Sequence, residues 1–454
     1  METNKKSSFS GRLGYVMAAA GSAVGLGNIW RFPYLAAKYG GGTFLFTYII
    51  LAFTVGFALL VSETALGRKT GNNPIKAYKI LGAKKLKIGG WLNSIIPMLI
   101  IPYYCVVGGW VCKYLFEYLR GSSQILTQDT YFSNFIANPI SPAFWLVVFA
   151  VLTFIVVIKG VEKGIEKVSK ILMPILVVIA IFISIYGLMT PGAIEGLKYY
   201  IIPDFSRFSI MTVISAMGQM FYSLSIAMGI LITFGSYMKK DLSIEDSTKN
   251  VEIFDTAIAI MAGLMIIPAV FAFSGGDPDA LNAGPSLMFI TIPKMFESMG
   301  LSTVVGILFF TLVLFAALTS SIALTESAVS TFQDEFGWGR KKATFILGGI
   351  MLVLGSLSAL GYGPLACVKI IGMQFLDFFD FLTNSVMMPI AAFAICILVS
   401  KVIGLNKIEE EVLNGEGKFR RKKIFNFMIK YLCPIFATII LLSSIANAFG
   451  LITI

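Results

Sequence analysis

Apolar residues fall along this chain in blocks of about 20, the length at which a helix crosses the hydrocarbon of a bilayer, with short polar connections between them. The pattern predicts roughly eleven spans, over 12–38, 42–67, 90–119, 142–159, 165–187, 209–236, 252–274, 302–333, 343–361, 373–400 and 427–449. Most read as continuous helices. The first does not: Gly21-Ser22-Ala23-Val24-Gly25-Leu26-Gly27-Asn28-Ile29-Trp30-Arg31-Phe32-Pro33 sets glycines, an asparagine and an arginine inside an apolar run. The sixth is similarly weakened by small and polar residues from Ser223 to Gly229. A helix opens at bilayer depth only where protein, water or a ligand satisfies the freed backbone groups, so each weakness marks a candidate binding site.

Matching interruptions in two halves predict a transporter built from inverted repeats, with its site at the breaks. The expected fold is an all-α polytopic membrane protein in a five-plus-five arrangement: one domain over 12–400, with repeat one at 12–187 and repeat two at 209–400. Residues 1–11 read as a cytoplasmic tail, 401–426 as a cytoplasmic loop and 427–454 as an additional C-terminal helix. Charge sets the orientation. Arg68, Lys69, Lys76, Lys79, Lys84, Lys85 and Lys87 follow the second span, whereas the connection from Gly121 to Ser141 has no Lys or Arg. Basic loops stay inside, so the N-terminus is cytoplasmic and the C-terminus extracytoplasmic. The segment from Asp277 to Ser298, interrupted by Pro278, Pro285 and Pro293, reads as an external lid with short helices.

Composition narrows the classes further. The chain is 57% hydrophobic and 13% charged, with a mean hydropathy of +0.82, which places it in a membrane. Its net charge of +11 lies in short clusters between apolar runs, with no basic face interleaved with aromatics, so no nucleic-acid partner is expected. Histidine is absent, which excludes His-dependent triads and zinc motifs, and no enzyme is expected. Cys105, Cys112, Cys367, Cys396 and Cys433 sit in apolar surroundings at no metal-ligand spacing and read as packing residues.

At the first break the carbonyls of Gly21, Ala23 and Val24 lose helical partners and Asn28 adds a side-chain oxygen, a donor set suited to a hard cation such as Na+. The amides of Leu26 and Gly27, opening the outer half-helix, suit a carboxylate. A glycine-rich packing seam gives the same small-residue pattern. In the eighth span Ala316, Thr319, Ser320 and Ala323 share one face and could complete a cation cage, although such hydroxyls commonly bond back to their own helix. Gln219, Tyr222, Ser223 and Ser225 line either a cavity or a helix contact. Glu63, Asp255 and Glu326 are ionisable groups at depth, where charge is costly enough to imply a role. Near the outer span ends lie Arg31, Asp377 and Asp380, and an Arg31–Asp380 pair could close the external mouth. Gly164 and Pro174 in the fifth span mark either a proline kink or a segment able to unwind.

Together these residues resemble the neurotransmitter:sodium symporter family in its bacterial amino-acid branch. The signature Gly-x-Ala-Val-Gly-Leu-Gly-Asn-x-x-Arg-Phe-Pro stands at Gly21–Pro33, and the likeness runs in register through nearly all spans. The resemblance implies one Na+ site at Ala23, Asn28, Ser223 and Asp255 and a second at Gly21, Val24, Ala316, Thr319 and Ser320. It implies a substrate carboxylate at the amides of Leu26 and Gly27 and the Tyr104 hydroxyl. Ala23 and Gly25 border the substrate, Gly25 leaving room for an α-amino acid where monoamine carriers have aspartate. The side-chain pocket would be Ile100, Tyr222, Ser225, Met228, Ser320 and Leu324, with Met228 adaptable in shape. Arg31 and Asp380 would form the outer gate, and Lys6, Tyr237 and Asp334 the inner one. Lys6 replaces the family's arginine and Phe9 its usual tryptophan. Gly164 and Pro174 match the family's unwinding motif.

Tyr48, Gln219 and Ser223 match places used by chloride-dependent members. Asp255 stands where many relatives carry a neutral asparagine, however, and Ala259 replaces a serine one turn on, so a fixed carboxylate is expected to do the anion's work and no chloride requirement follows. The expected function is therefore Na+-coupled symport of a neutral, hydrophobic or aromatic L-amino acid with two Na+. Its setting would be a bacterial plasma membrane, with lipid around it, as a monomer or weak dimer. A proton-coupled carrier of the same fold and a transporter-like sensor are the alternatives.

Overall fold

In the computed structural model, which describes residues 8–275, 285–416 and 418–451, the protein is all helix. Nine helices among the described residues are long and apolar enough to cross a membrane: Gly42–Thr70, Lys87–Leu119, Ser141–Ile158, Val161–Leu188, Ile244–Ser274, Ser302–Phe336, Arg340–Leu360, Phe375–Ile403 and Lys422–Ala448. Two further stretches, 12–38 and 210–236, are helical at both ends and interrupted in the middle. These are the first and sixth spans of the sequence pattern; the nine continuous helices are the others in chain order.

The third span, Lys87–Leu119, is the most enclosed, with 83% of its apolar window buried, whereas the eleventh, Lys422–Ala448, has 28%. The core accordingly centres on the third and eighth spans, which pack on each other and on the fourth and ninth, and the eleventh lies at the edge against the tenth. The N-terminal half of the first span, Arg12–Ala23, packs on the fifth, seventh and eighth. The C-terminal half of the sixth, Ile230–Ser236, packs along the second. Gly67 and Gly235 permit that approach: a Cβ on either would strike the backbone of the facing helix. The outward faces of the fourth and fifth spans expose Val151, Ile155, Val178 and Phe182, as a lipid boundary requires.

Several connections carry structure that the apolar pattern does not show. Residues 277–284 of the expected lid lie outside the described residues; beyond them come a wide turn at Leu287–Thr291 and a short helix at Ile292–Ser298. The cytoplasmic loop expected over 401–426 contains an amphipathic helix, Leu405–Glu416, that buries Ile408 and Val412. The fifth span is wound throughout: Gly164 lies in a wide turn at Val161–Glu166 and Pro174 inside the helix Lys167–Leu188.

Candidate functional site

The helix Arg12–Ala23 ends where Val24 turns extended (φ −70°, ψ 102°), and helix resumes at Gly27. In an unbroken helix the Gly25 amide would bond the Gly21 carbonyl. Here it donates to the Asn28 side-chain oxygen at 3.2 Å, leaving that carbonyl for other partners. The Ser320 hydroxyl reaches it, with Oγ 3.3 Å from Gly21 O, 3.0 Å from Ser22 O and 3.1 Å from Val24 O. One hydroxyl has one proton, and with Ser225 Oγ also donating to Ser22 O, three carbonyls share two hydroxyl protons and form a patch of negative potential. Thr319 stands beside it: a Cβ added to Gly21 would come within 3.1 Å of the Thr319 Cβ. Its hydroxyl bonds back to Phe315 O at 3.0 Å and Ala316 O at 3.1 Å.

A second polar group converges on Asp255 of the seventh span. Asn28 Nδ2 donates to Asp255 Oδ1 at 2.8 Å, Ser223 Oγ lies 2.9 Å from both carboxylate oxygens, and Tyr48 OH reaches Oδ2 at 3.3 Å. Each of these side chains is fully buried or within 1% of it. Asn28 turns its nitrogen to the carboxylate, where the sequence expectation has its oxygen facing an ion. An anion is complemented by an N–H donor, and half a turn of the same amide offers the oxygen to a cation instead. Gln219 Nε2 donates to Gly27 O at 3.1 Å, tying the outer halves of the two broken spans together.

The sixth span opens after Ser223 and closes at Ile230. Between them Ser225 (φ 53°), Ala227 (φ 60°) and Gly229 (φ 69°) are left-handed, a conformation only the glycine adopts without strain. Protein groups hold the loop: Ser22 Oγ donates to Ser225 Oγ and Ser225 Oγ to Ser22 O, both at 3.1 Å, and the Ala227 amide donates to Glu63 Oε1 at 2.7 Å.

Between the two breaks lies a small, tightly walled cavity. Ala23, Gly25, Leu26, Gly27, Ile100, Tyr104, Tyr222, Ser225, Met228, Ser320 and Leu324 all line it, and Ser22, Asn28 and Ile230 complete the wall. The Leu26 amide points to the Tyr104 hydroxyl at 3.4 Å. Ser22 and Ile230 escape a sequence reading because one is a variable place in the first motif and the other looks like ordinary lipid-facing apolar chain.

Two breaks face each other with polar groups gathered at both, and the deciding observation is a sequence profile: that described as the sodium:neurotransmitter symporter family matches residues 6–124 and 131–451. The chain belongs to the sodium:neurotransmitter symporter family. An uncharacterized sodium-dependent transporter, YhdH, of Bacillus subtilis (strain 168) is 34% identical over 98% of this chain and 99% of its own length. An uncharacterized sodium-dependent transporter of Haemophilus influenzae is also 34% identical, over 98% of this chain and all of its own. Among solved structures, a crystal structure of MhsT in complex with L-phenylalanine superposes with a TM-score of 0.87 at 37% identity, covering 97% of this chain and 100% of that one. This symporter is a sodium-dependent multi-pass membrane transporter and not an enzyme.

Arg31 and Asp380 of the expected outer gate face one cavity, but no ion pair joins them among the described residues. The Arg31 guanidinium instead lies 5.6 Å from the centre of the Tyr222 ring, and Asp380 accepts from Asn384 Nδ2 at 2.6 Å. Of the expected inner gate, Lys6 lies outside the described residues. Asp334 accepts the Asn73 amide at 3.0 Å, and Tyr237 donates to Glu326 at 2.8 Å. Glu326, singled out by its depth, is also paired with Arg340 at the foot of the ninth span, away from the cavity. Phe9 is fully buried between Tyr15, Phe234 and Tyr237. The foot of the first span stands on the fifth through Ser10, whose amide and hydroxyl both donate to Glu166, two residues from Gly164.

Proposed function

We propose that this symporter carries a neutral hydrophobic or aromatic L-amino acid together with two Na+, without chloride, by alternating access. The observation that carries the reading is the pairing of two polar centres at one small cavity: the carbonyls of Gly21, Ser22 and Val24 around Ser320, and the Asp255 carboxylate among Asn28, Ser223 and Tyr48. A first Na+ would sit with Ala23, Asn28, Ser223 and Asp255, and a second with Gly21, Val24, Ala316, Thr319 and Ser320. All of these offer the hard oxygen donors such an ion takes. The amino acid would place its carboxylate at the Leu26 and Gly27 amides and Tyr104. Its side chain would lie against Ile100, Tyr222, Met228 and Leu324, a wall that favours apolar groups over charged ones.

In this reading eleven spans form a five-plus-five inverted repeat plus one, with the N-terminus cytoplasmic. The bundle holding the broken helices rocks against the third and eighth spans. Arg31 and Asp380 close outside, Lys6, Tyr237 and Asp334 close inside, and the fifth span unwinds between Gly164 and Pro174 to admit water. At about 100 mV each entering charge contributes roughly 2.3 kcal/mol, and a tenfold Na+ gradient about 1.4 more. Two Na+ thus supply on the order of 7 kcal/mol, enough for roughly 10⁵-fold accumulation.

Proton coupling is the second reading, favoured by Glu63, a fully buried carboxyl whose Oε2 has no hydrogen-bond partner among the described residues. Equilibrium binding of an amino-acid panel to the purified protein separates the two. The Na+ reading predicts binding of apolar and aromatic amino acids that disappears when choline replaces Na+ at fixed pH. Binding that persists in choline and follows pH contradicts it.

A further inference from the structure

The amphipathic helix Leu405–Glu416 and the turn after it are bound to the transport bundle by buried charge. The Arg68 side chain, at the cytoplasmic end of the second span, is fully buried and lies 2.7 Å from Glu411 Oε1. It also bonds the carbonyls of Glu411 and Leu242. The amides of Arg420 and Arg421 donate to Glu245 at 2.7 and 2.9 Å. The Arg421 guanidinium then reaches between two spans. Its face lies 3.4 Å from the centre of the Phe57 ring on the second span, and its Nη2 is 3.1 Å from Glu252 Oε2 on the seventh. Glu252 is fully buried, and Arg421 is the one cation in ion-pair contact with it among the described residues.

Glu252 lies three residues before Asp255, about 4.5 Å along the helix and on nearly the same face. Whatever fixes Glu252 therefore fixes how far the Asp255 carboxylate reaches toward Asn28 and Ser223, which belong to other helices. A buried carboxylate that loses its cation is driven to water or to another partner, and the whole seventh span must follow. We infer that Arg421 is a positioning residue for the Na+ site: from the foot of the eleventh span it sets the register of the seventh, and so the geometry around Asp255. The inference rests on the Na+ reading of Asp255. It also gives the eleventh span, which lies outside both repeats, a part in ion binding. A lysine cannot replace the guanidinium, because it lacks both the fork for the carboxylate and the flat face for Phe57.

The test is the Na+ half-saturation of amino-acid uptake by the full chain in proteoliposomes, with melting temperature followed in parallel, for the native protein, Arg421→Lys, Arg421→Gln and the double variant Arg421→Gln/Glu252→Gln. The expected result is a rise in Na+ half-saturation of about tenfold in Arg421→Gln and a smaller rise in Arg421→Lys, with the amino-acid KM at saturating Na+ nearly unchanged. In the double variant no unpaired charge is left, so the melting temperature returns toward native while the Na+ half-saturation stays raised. Unchanged Na+ half-saturation in Arg421→Gln, or its return together with the melting temperature in the double variant, overturns the positioning role while leaving the Na+ reading intact. Native uptake indifferent to Na+ overturns both.

Discussion

Asn28 Nδ2 and Asp255 Oδ1 stand 2.8 Å apart, joining the break in the first span to the middle of the seventh across 227 residues of sequence. Both side chains are fully buried. A carboxylate at bilayer depth is disfavoured by roughly 2.5 to 3.5 kcal/mol, which hydrogen-bond donors offset in part and a bound cation offsets further. In the proposed reading this covalently fixed negative charge takes the place of a mobile anion beside the Na+. Exchange of chloride for gluconate is expected to leave uptake unchanged, whereas Asp255→Asn lowers it by about tenfold or more at a given Na+ concentration. Uptake that collapses in gluconate contradicts the assignment.

Gly25 faces the eighth and third spans. A Cβ there would stand 2.8 Å from Ser320 Oγ and 3.0 Å from Tyr104 OH, both in the cavity wall. Forcing extra volume into a packed site costs about 1 to 3 kcal/mol. Gly25→Ala is expected to weaken amino-acid binding by about tenfold or more, with little change in melting temperature, since the strain falls on the cavity rather than the scaffold. Equilibrium binding with a parallel thermal melt checks this; native affinity in the variant would show that the cavity wall yields freely.

Ala227 carries strain that its own chemistry does not require. At φ 60° its methyl group opposes the backbone, yet its amide must stay where Glu63 accepts it. The left-handed conformation disfavours a side chain by about 1 to 2 kcal/mol, and glycine removes that term at some entropic expense in the unfolded chain. Ala227→Gly is expected to raise the melting temperature and keep Na+-dependent uptake. A lower melting temperature would mean that the methyl group's packing outweighs the strain.

The membrane spans and the first break were legible because hydrophobic blocks and a glycine-rich motif are local signals. The sixth break was legible in place but not in shape: Ser225 and Ala227 give no sign in sequence that they turn left-handed, since glycine is the residue that usually announces it. Glu326 was noticed for its depth, but its partner Arg340 opens a different span, and no periodicity within one helix connects them. Likewise the charges after the tenth span read as a solvated loop. What makes them a bound element is the burial of Ile408 and Val412 together with bonds to Arg68, Glu245 and Glu252, each 169 or more positions from its partner in the sequence. The expected outer gate shows the converse limit. Arg31 and Asp380 have complementary charges and face one cavity, but the ring of Tyr222 and the amide of Asn384 are their partners instead.

The most direct measurement is uptake of radiolabelled L-phenylalanine, the amino acid in the MhsT crystal, into proteoliposomes holding this chain, with an inward Na+ gradient and with choline in its place. Accumulation above the external concentration with Na+, its absence with choline, and its loss in Asn28→Ala and Thr319→Ala is the predicted result. Uptake of the same extent in choline, or unaltered accumulation in both variants, would contradict it.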